Sequence, residues 1–103
     1  MVAGCSSSGV ITASKVVSSS RCKLVSLHVT SINANANVIK VWDSNDSTTT
    51  GDLEIVRINV PSGNNTANNA FNMEFDMHGV IAAEGLYVQI TGSGTSAVTV
   101  TFA

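Results

Sequence analysis

Three titratable side chains share one short segment of the chain, Phe71 to His78. Glu74, Asp76 and His78 occupy alternate positions there, and alternate residues of a β-strand project from the same face. Carboxylates and an imidazole on one face can bind a metal ion or transfer a proton. A solvated strand face or a subunit contact explains the same spacing without any chemistry, and we favour that interpretation.

The second histidine, His28, lies in another alternating segment. Serines are frequent, but none occupies the nucleophile-elbow motif that exposes a catalytic hydroxyl. We therefore expect His28 to be hydrogen-bonded or to lie at an interface. The sequence predicts no catalytic residue and no cofactor-binding residue, and we expect a protein that is not an enzyme.

Oxygen-bearing side chains recur at Asp43, Asn45 and Ser47, which is how a calcium-binding loop begins. The sixth position of such a loop requires glycine but holds Thr48. Glu54 stands at the twelfth position, where calcium needs a bidentate ligand, yet it lies inside a predicted strand. We therefore favour a solvated turn for residues 43–52, and the sequence predicts no metal ligand.

Large apolar residues alternate with the titratable ones in the segment that contains Glu74. They are Phe71, Met73, Phe75 and Met77. Such a row can line a ligand pocket, but alternating phenylalanine and methionine more often belong to a core. We expect these four side chains to be buried.

The elements that position these residues are strands, because apolar and polar residues alternate along most of the chain. About seven strands are predicted, at Val10–Val17, Cys22–Ile32, Val38–Asp43, Leu53–Val60, Phe71–Met77, Leu86–Thr91 and Ala97–Phe102. No segment predicts a convincing helix. The pattern indicates an all-β protein, either an antiparallel β-sandwich or a small jelly roll.

Strand pairing is predicted from the connections. The last two strands are expected to form a hairpin that closes the sandwich, with a core face of Leu86, Val88, Ile90, Val98, Val100 and Phe102. The strands on either side of residues 33–37 are expected to form another hairpin, with Trp42 at the edge of the core. The alternation shifts phase midway through Leu53–Val60, which predicts a β-bulge.

Length and charge restrict the class of protein. The 103 residues suit one domain, which we place at 10–103 after a flexible Ser/Gly-rich arm at 1–9. The net charge is −2, and no basic cluster exceeds Arg21 and Lys23, so we expect no nucleic-acid partner. No apolar run approaches 18 residues, so no membrane partner is expected.

Cys5 and Cys22 lack a metal-binding spacing; free thiols are favoured, with a disulfide as the alternative.

Two stretches resemble small virion structural proteins of tailed bacteriophages. They are EGLYVQITGSGTSAVTVTF at 84–102 and VIKVWDSND at 38–46, and the strand at Lys23 to Val29 adds to the likeness. The resemblance implies a β-sandwich that coats or cements a capsid, and it carries over no site residue. It further implies the major capsid protein or other virion proteins as partners, location in the virion with the capsid surface favoured, and a homo-oligomer with a trimer favoured.

The alternative that the resemblance leaves open is a tail or fibre component. Such a protein would bind a host surface or its carbohydrate. Trp42, Tyr87 and the Asn-rich loops are the candidate platform for a sugar.

Overall fold

The computed structural model describes residues 4–31, 36–60 and 71–103, and 71% of them lie in strands. An ordinary domain has about 20–25% strand, so the predicted all-β class is confirmed. The strands are β1 (Ser6–Ile11), β2 (Lys15–Ser18), β3 (Cys22–Ser31), β4 (Asn37–Asp43), β5 (Leu53–Val60), β6 (Phe71–Ala82), β7 (Leu86–Gly92) and β8 (Ser96–Phe102). In the described ranges there is no helix, and hence none long and apolar enough to cross a membrane.

The eight strands form two antiparallel sheets of four. Sheet A has the order β1-β8-β3-β6, and sheet B has the order β2-β7-β4-β5. The pairs β1–β8, β2–β7, β3–β6 and β4–β5 are those of one long antiparallel ribbon, rolled so that successive pairs alternate between the sheets. This strand order is that of an eight-stranded jelly roll, one of the two architectures that the sequence predicts.

Most strand bounds agree with the alternation in the sequence. The segment predicted as one strand at Val10–Val17 is in fact two strands, β1 and β2, and residues 12–14 carry the chain from sheet A to sheet B. Residues 6–9, which composition assigned to a flexible arm, belong to β1. Ile32 and residues 33–35 lie outside the described residues.

Both predicted hairpins are wrong. β7 pairs with β2 and β4, whereas β8 pairs with β1 and β3, so these two strands lie in opposite sheets. The same is true of β3 and β4. Alternation shows that each strand has one buried face, but it does not show whether the next strand lies beside it or across the core.

The core lies between the two sheets. Side chains with no exposed surface come from both, and they include Leu24, Leu27, Val29, Val98 and Val100 of sheet A and Ile39, Val41, Leu86 and Val88 of sheet B. Ile90 and Phe102 pack against this cluster and are partly buried. The predicted core face of β7 and β8 is thus confirmed, although its two halves face each other across the sandwich. Their burial supplies most of the stabilisation of a domain of this size.

Five of the described strand pairs contain a register irregularity, and two of these bulges bear on the candidate site residues. In β5, Val56 pairs with Val41 while Glu54 pairs with Trp42, so Ile55 is the extra residue. This is the phase shift that the sequence predicts. In β6, the ladder with β3 is interrupted between Asp76 and Val80.

Candidate functional site

The outer face of sheet B carries the chain's only tryptophan beside its only tyrosine. Trp42 of β4 lies directly opposite Tyr87 of β7, and Tyr87 lies opposite Val16 of β2. Residues paired in this way project from the same face with Cβ atoms about 4.5–5.5 Å apart. We call Val16, Tyr87 and Trp42 the aromatic row.

Both rings project away from the inter-sheet core. Tyr87 is only 7% exposed, yet it does not belong to the core cluster. Trp42 is partly exposed and also lies outside that cluster. The prediction that Trp42 packs at the edge of the core is therefore wrong, because Ile39 and Val41 occupy the inward positions of β4.

A hydrogen bond holds the indole of Trp42. Its Nε1–H donates to Oε1 of Gln89, at 3.1 Å. Gln89 lies on β7, two residues beyond Tyr87 and therefore on the same outward face. Because its oxygen accepts from Trp42, the amide nitrogen of Gln89 keeps two N–H donors for other partners.

A charged row lies beside the aromatic row. Lys40 of β4 is directly opposite Gln89 on one side and Arg57 of β5 on the other. Like charges directly opposite each other destabilise a strand pair. Glu54 offsets part of that repulsion, because Nε and Nη2 of Arg57 donate to its two oxygens, each at 2.9 Å.

The bulge in β5 makes this ion pair possible. Residues three apart in a regular strand project from opposite faces, but the extra residue, Ile55, returns Glu54 to the face of Arg57. The hydrogen bonds from Arg57 hold the pKa of Glu54 below its ordinary value, and Lys40 adds to the effect. The same hydrogen bonds, which Glu54 accepts, raise the pKa of Arg57.

His28 lies on the outer face of sheet A. It is exposed, and it lies opposite Thr99 of β8 and Glu74 of β6. His78 is exposed over 84% of its side chain, and its Nδ1 is 3.6 Å from Oδ1 of Asp76. The two histidines are therefore on open surface, and the spacing of Glu74, Asp76 and His78 does not place them around a cleft.

The bulge in β6 explains the position of His78. Its φ is +55°, a left-handed conformation that is uncommon for residues other than glycine. Oδ1 of Asp76 accepts a hydrogen bond from the His78 N–H at 2.9 Å. On the inward side of β6, Met73, Phe75 and Met77 pack against the core as predicted, but they are only partly buried. The side chain of Phe71 lies outside the described part of the structure.

Each carboxylate among the candidate calcium ligands is already engaged in other hydrogen bonds, that of Glu54 with Arg57. The carboxylate of Asp43 accepts hydrogen bonds from the backbone N–H groups of Ala83, Glu84 and Gly85, at 3.0, 2.8 and 3.4 Å. Oδ1 of Asp46 accepts from the N–H of Thr48 at 2.9 Å. In residues 4–31, 36–60 and 71–103, no group of three or more His, Cys, Asp or Glu side chains is arranged to hold a metal ion.

Acidic residues nevertheless gather at this end of the sandwich. Repulsion from Asp52, together with a hydrogen bond between the two carboxyls, raises the pKa of Glu84. Partial desolvation and the charges of Asp43 and Asp46 add to the shift. Glu84 itself is exposed.

A cavity of about 320 Å³ opens where β3 begins and β6 ends. Its lining residues are Arg21, Cys22, Lys23, Ile81 and Ala103, and neither histidine is among them. Cys22 is buried, Cys5 is exposed, and both are free thiols as predicted.

The charged row is the feature that reasoning from the sequence missed. Lys40, Arg57 and Glu54 were each assigned to strands, but strand pairing alone brings them together. The signal that could have revealed part of it is the phase shift in Leu53–Val60, because a bulge there implies that Glu54 and Arg57 share a face.

Comparison with known proteins adds no relative to this description. No protein-family model matches the chain, and neither the curated proteins nor the solved structures that were searched contain a match. What the protein does must therefore be inferred from its own residues.

Proposed function

We propose that the protein is a non-enzymatic structural component of a virion that binds the capsid shell as a decoration or cement protein. The observation that carries this proposal is the outer face of sheet A, where hydroxyl side chains predominate on β8 and β3 and the carboxylates stand on β6. The resemblance of 38–46 and 84–102 to virion proteins of tailed bacteriophages supports it. Fold alone would not, since jelly rolls serve many functions.

The outer face of sheet A is ordered in cross-strand rows from β8 through β3 to β6. The rows are Ala97–Thr30–Asn72, Thr99–His28–Glu74 and Thr101–Ser26–Asp76. The hydroxyl of Thr30 donates to Oδ1 of Asn72 at 2.7 Å, which links two strands. No lysine or arginine stands in these rows, and the two carboxylates lie on the edge strand β6.

Such a face suits contact with another protein for two reasons. Short hydroxyl side chains lose less conformational freedom on contact than lysine, arginine or glutamate. They are also easier to remove from water than charged groups, provided that the partner supplies hydrogen bonds. Val10, an exposed residue of β1 opposite Thr99, adds an apolar contact at one margin.

The area of the face limits what one copy can do. Four strands about 4.8 Å apart and about seven residues long cover roughly 450 Å². A stable interface buries about 800 Å² on each partner. One face is therefore insufficient alone, whereas a trimer that presented three faces would hold the shell by multivalent contact.

The mechanism in this proposal is mechanical. A copy that bridges neighbouring subunits of the major capsid protein adds interface that internal pressure must break before the shell opens. The mechanism involves no chemical step, so the expected readout is the stability of the particle.

Particles assembled with and without the chain would test the proposal. We expect the chain in purified particles by mass spectrometry, and we expect particles without it to release their genome at lower temperature. Thr99→Lys, on the outer face of sheet A, should weaken binding to particles. Thr91→Lys, on the outer face of sheet B, is the matched control. Absence of the chain from particles, or equal heat resistance without it, would refute the shell-binding role.

A second candidate function is a tail or fibre component that binds a host surface or its carbohydrate. The observation that favours it is the aromatic row, because Trp42 and Tyr87, chosen from the sequence as a sugar platform, are neighbours on one outer face. The Asn-rich stretches 33–35 and 62–70 lie outside the described residues.

A further inference from the structure

We propose that the outer face of sheet B binds an acidic saccharide. A sugar ring would lie against Trp42, and Lys40, Arg57 and Gln89 would donate hydrogen bonds to its carboxylate or phosphate and to its hydroxyls. This inference gives the second candidate function a ligand class and a set of residues. It is independent of the shell-binding role.

The aromatic row provides the surface for the ring. An indole attracts the polarised C–H groups of a sugar through the negative face of its π system. Trp42 is partly exposed, whereas Tyr87 beside it is 93% removed from solvent by its neighbours. A sugar ring therefore meets a supported aromatic surface.

The ring is also oriented in advance. The hydrogen bond from Nε1 of Trp42 to Oε1 of Gln89, at 3.1 Å, limits the orientations open to the indole. Preorganised side chains lose less freedom when a ligand binds. The same bond leaves the amide N–H groups of Gln89 as donors beside the ring.

The charged row favours an anion over a neutral ligand. Lys40 lies directly opposite Arg57, an arrangement that costs stability in a strand pair. Together, Lys40, Arg57 and Glu54 have a net charge of +1, in a chain whose net charge is −2. A negatively charged group placed over the row would relieve the repulsion that Glu54 relieves only in part.

The donors that remain free specify the ligand further. A guanidinium has five N–H groups and an ammonium has three, and Arg57 uses two of its five on Glu54. Glu54 accepts from Arg57 at two of its about four lone-pair sites, so the remaining N–H donors of Arg57, Lys40 and Gln89 outnumber the acceptor sites left on these side chains. An acidic sugar, which is rich in acceptors and carries a negative charge, complements such a surface.

A nucleic acid fits the same face less well. Aromatic rings and cations also bind single strands, but that affinity depends on many phosphate contacts. Here two cations stand on the face, and Glu54 neutralises one of them.

The test uses the purified chain and three oligosaccharides with the same backbone: one carboxylated, one phosphorylated and one neutral. Because Trp42 is the only tryptophan, its indole N–H resonance and its fluorescence report on this face alone. We expect both signals to shift with at least one acidic oligosaccharide, and to shift much less with the neutral one. Comparing the affinities of the carboxylated and phosphorylated oligosaccharides identifies which anionic group the face prefers.

Variants separate the two parts of the site. Trp42→Ala should abolish binding and Trp42→Phe should retain part of it, both followed by calorimetry. Lys40→Gln and Arg57→Gln should each weaken the acidic ligand about tenfold, the loss of one charge-assisted hydrogen bond, and leave the neutral one unchanged. Arg21→Gln and Lys23→Gln, which line the cavity at the start of β3 in the other sheet, are the matched controls and should have no effect.

Several results would overturn the proposal. These are no shift with any of the three oligosaccharides, equal affinity for the acidic and neutral forms, or affinity for the acidic form that is unchanged in both Trp42→Ala and Lys40→Gln. If an oligodeoxynucleotide binds more tightly than the acidic oligosaccharides, and the same variants lose that binding, the face would be assigned to nucleic acid instead. None of these outcomes would affect the particle experiment, so the two functions fail separately.

Discussion

Glu54 and Arg57 form a bidentate ion pair on the outer face of sheet B, although they are three residues apart in one strand. The bulge at Ile55 reverses the alternation between them, so a local irregularity creates a charged surface feature. The neighbouring cation, Lys40, then faces Arg57 across the ladder. A bulge often redirects a side chain toward a functional surface, and here it redirects Glu54.

The pair predicts a pH dependence of stability. Arg57 lowers the pKa of Glu54 from its ordinary value of 4.5, so the folded state binds a proton less readily than the unfolded state. The stabilisation is therefore present above pH 4.5 and is lost as the pH falls through the lowered pKa. Urea unfolding of the wild type and Arg57→Gln should differ at neutral pH and converge in acid. A difference that persisted unchanged in strong acid would contradict this account.

Glu84 and Asp52 predict the opposite dependence. Repulsion from Asp52 raises the pKa of Glu84 above 4.5, so the folded state binds a proton more readily than the unfolded state. Stability should therefore fall as the pH rises from 4.5 through the raised pKa. Glu84→Gln should be more stable than the wild type at neutral pH, and the gain should disappear below pH 4.5. Asp52→Asn should give the same result, and a loss of stability in either variant at neutral pH would exclude repulsion as the dominant effect.

Asp43 predicts a structural effect at the β6–β7 corner. Its carboxylate accepts the N–H groups of three consecutive residues, Ala83 to Gly85, from forty positions away in sequence. Asp43→Asn keeps one acceptor oxygen and should lower the free energy of unfolding by about 1–3 kcal/mol. Asp46→Asn is the control, because an amide oxygen can still accept from Thr48, and it should change stability by less than about 0.5 kcal/mol. Equal effects of the two variants would refute the capping role.

Gly85 predicts a steric effect at the same corner. Its φ is +156°, and a Cβ there would lie 2.4 Å from the carbonyl oxygen of Ser18 and 2.8 Å from that of Ser44. Gly85→Ala should therefore displace the backbone of both neighbours and cost about 3 kcal/mol or more. Gly51→Ala, at φ +81° with open space around it, should cost about 1 kcal/mol from backbone strain alone. Thermal unfolding of the two variants compares them directly, and a Gly85→Ala that melted no lower than Gly51→Ala would contradict the close approach.

Much of the strand content was predictable from the sequence, because a strand with one buried face must alternate. Cys22–Ser31, Asn37–Asp43 and Leu53–Val60 match the expected segments within one residue. Even the bulge in β5 was visible as a phase shift. The break between β1 and β2 was not, because no glycine or proline separates the two halves of Val10–Val17.

The candidate site was predictable only in part. The aromatic side chains of Trp42 and Tyr87 suggested a platform for a sugar. However, β4 has apolar residues on both faces, so alternation left its inward side undecided. The opposition of Lys40 and Arg57 could not be predicted, since it depends on the pairing of β4 with β5 in one register.

The sequence by itself determined an all-β chain, the bounds of most strands and the core-facing residues of β6, β7 and β8, because these depend on local alternation and on burial of apolar surface. The tertiary structure decided which strands are neighbours. Rolling one ribbon into two sheets separates β7 from β8 and joins β7 to β4, a choice made by contacts between distant segments. That choice placed Trp42 beside Tyr87, and Lys40 between Gln89 and Arg57, and so created the face on which the proposed saccharide site depends.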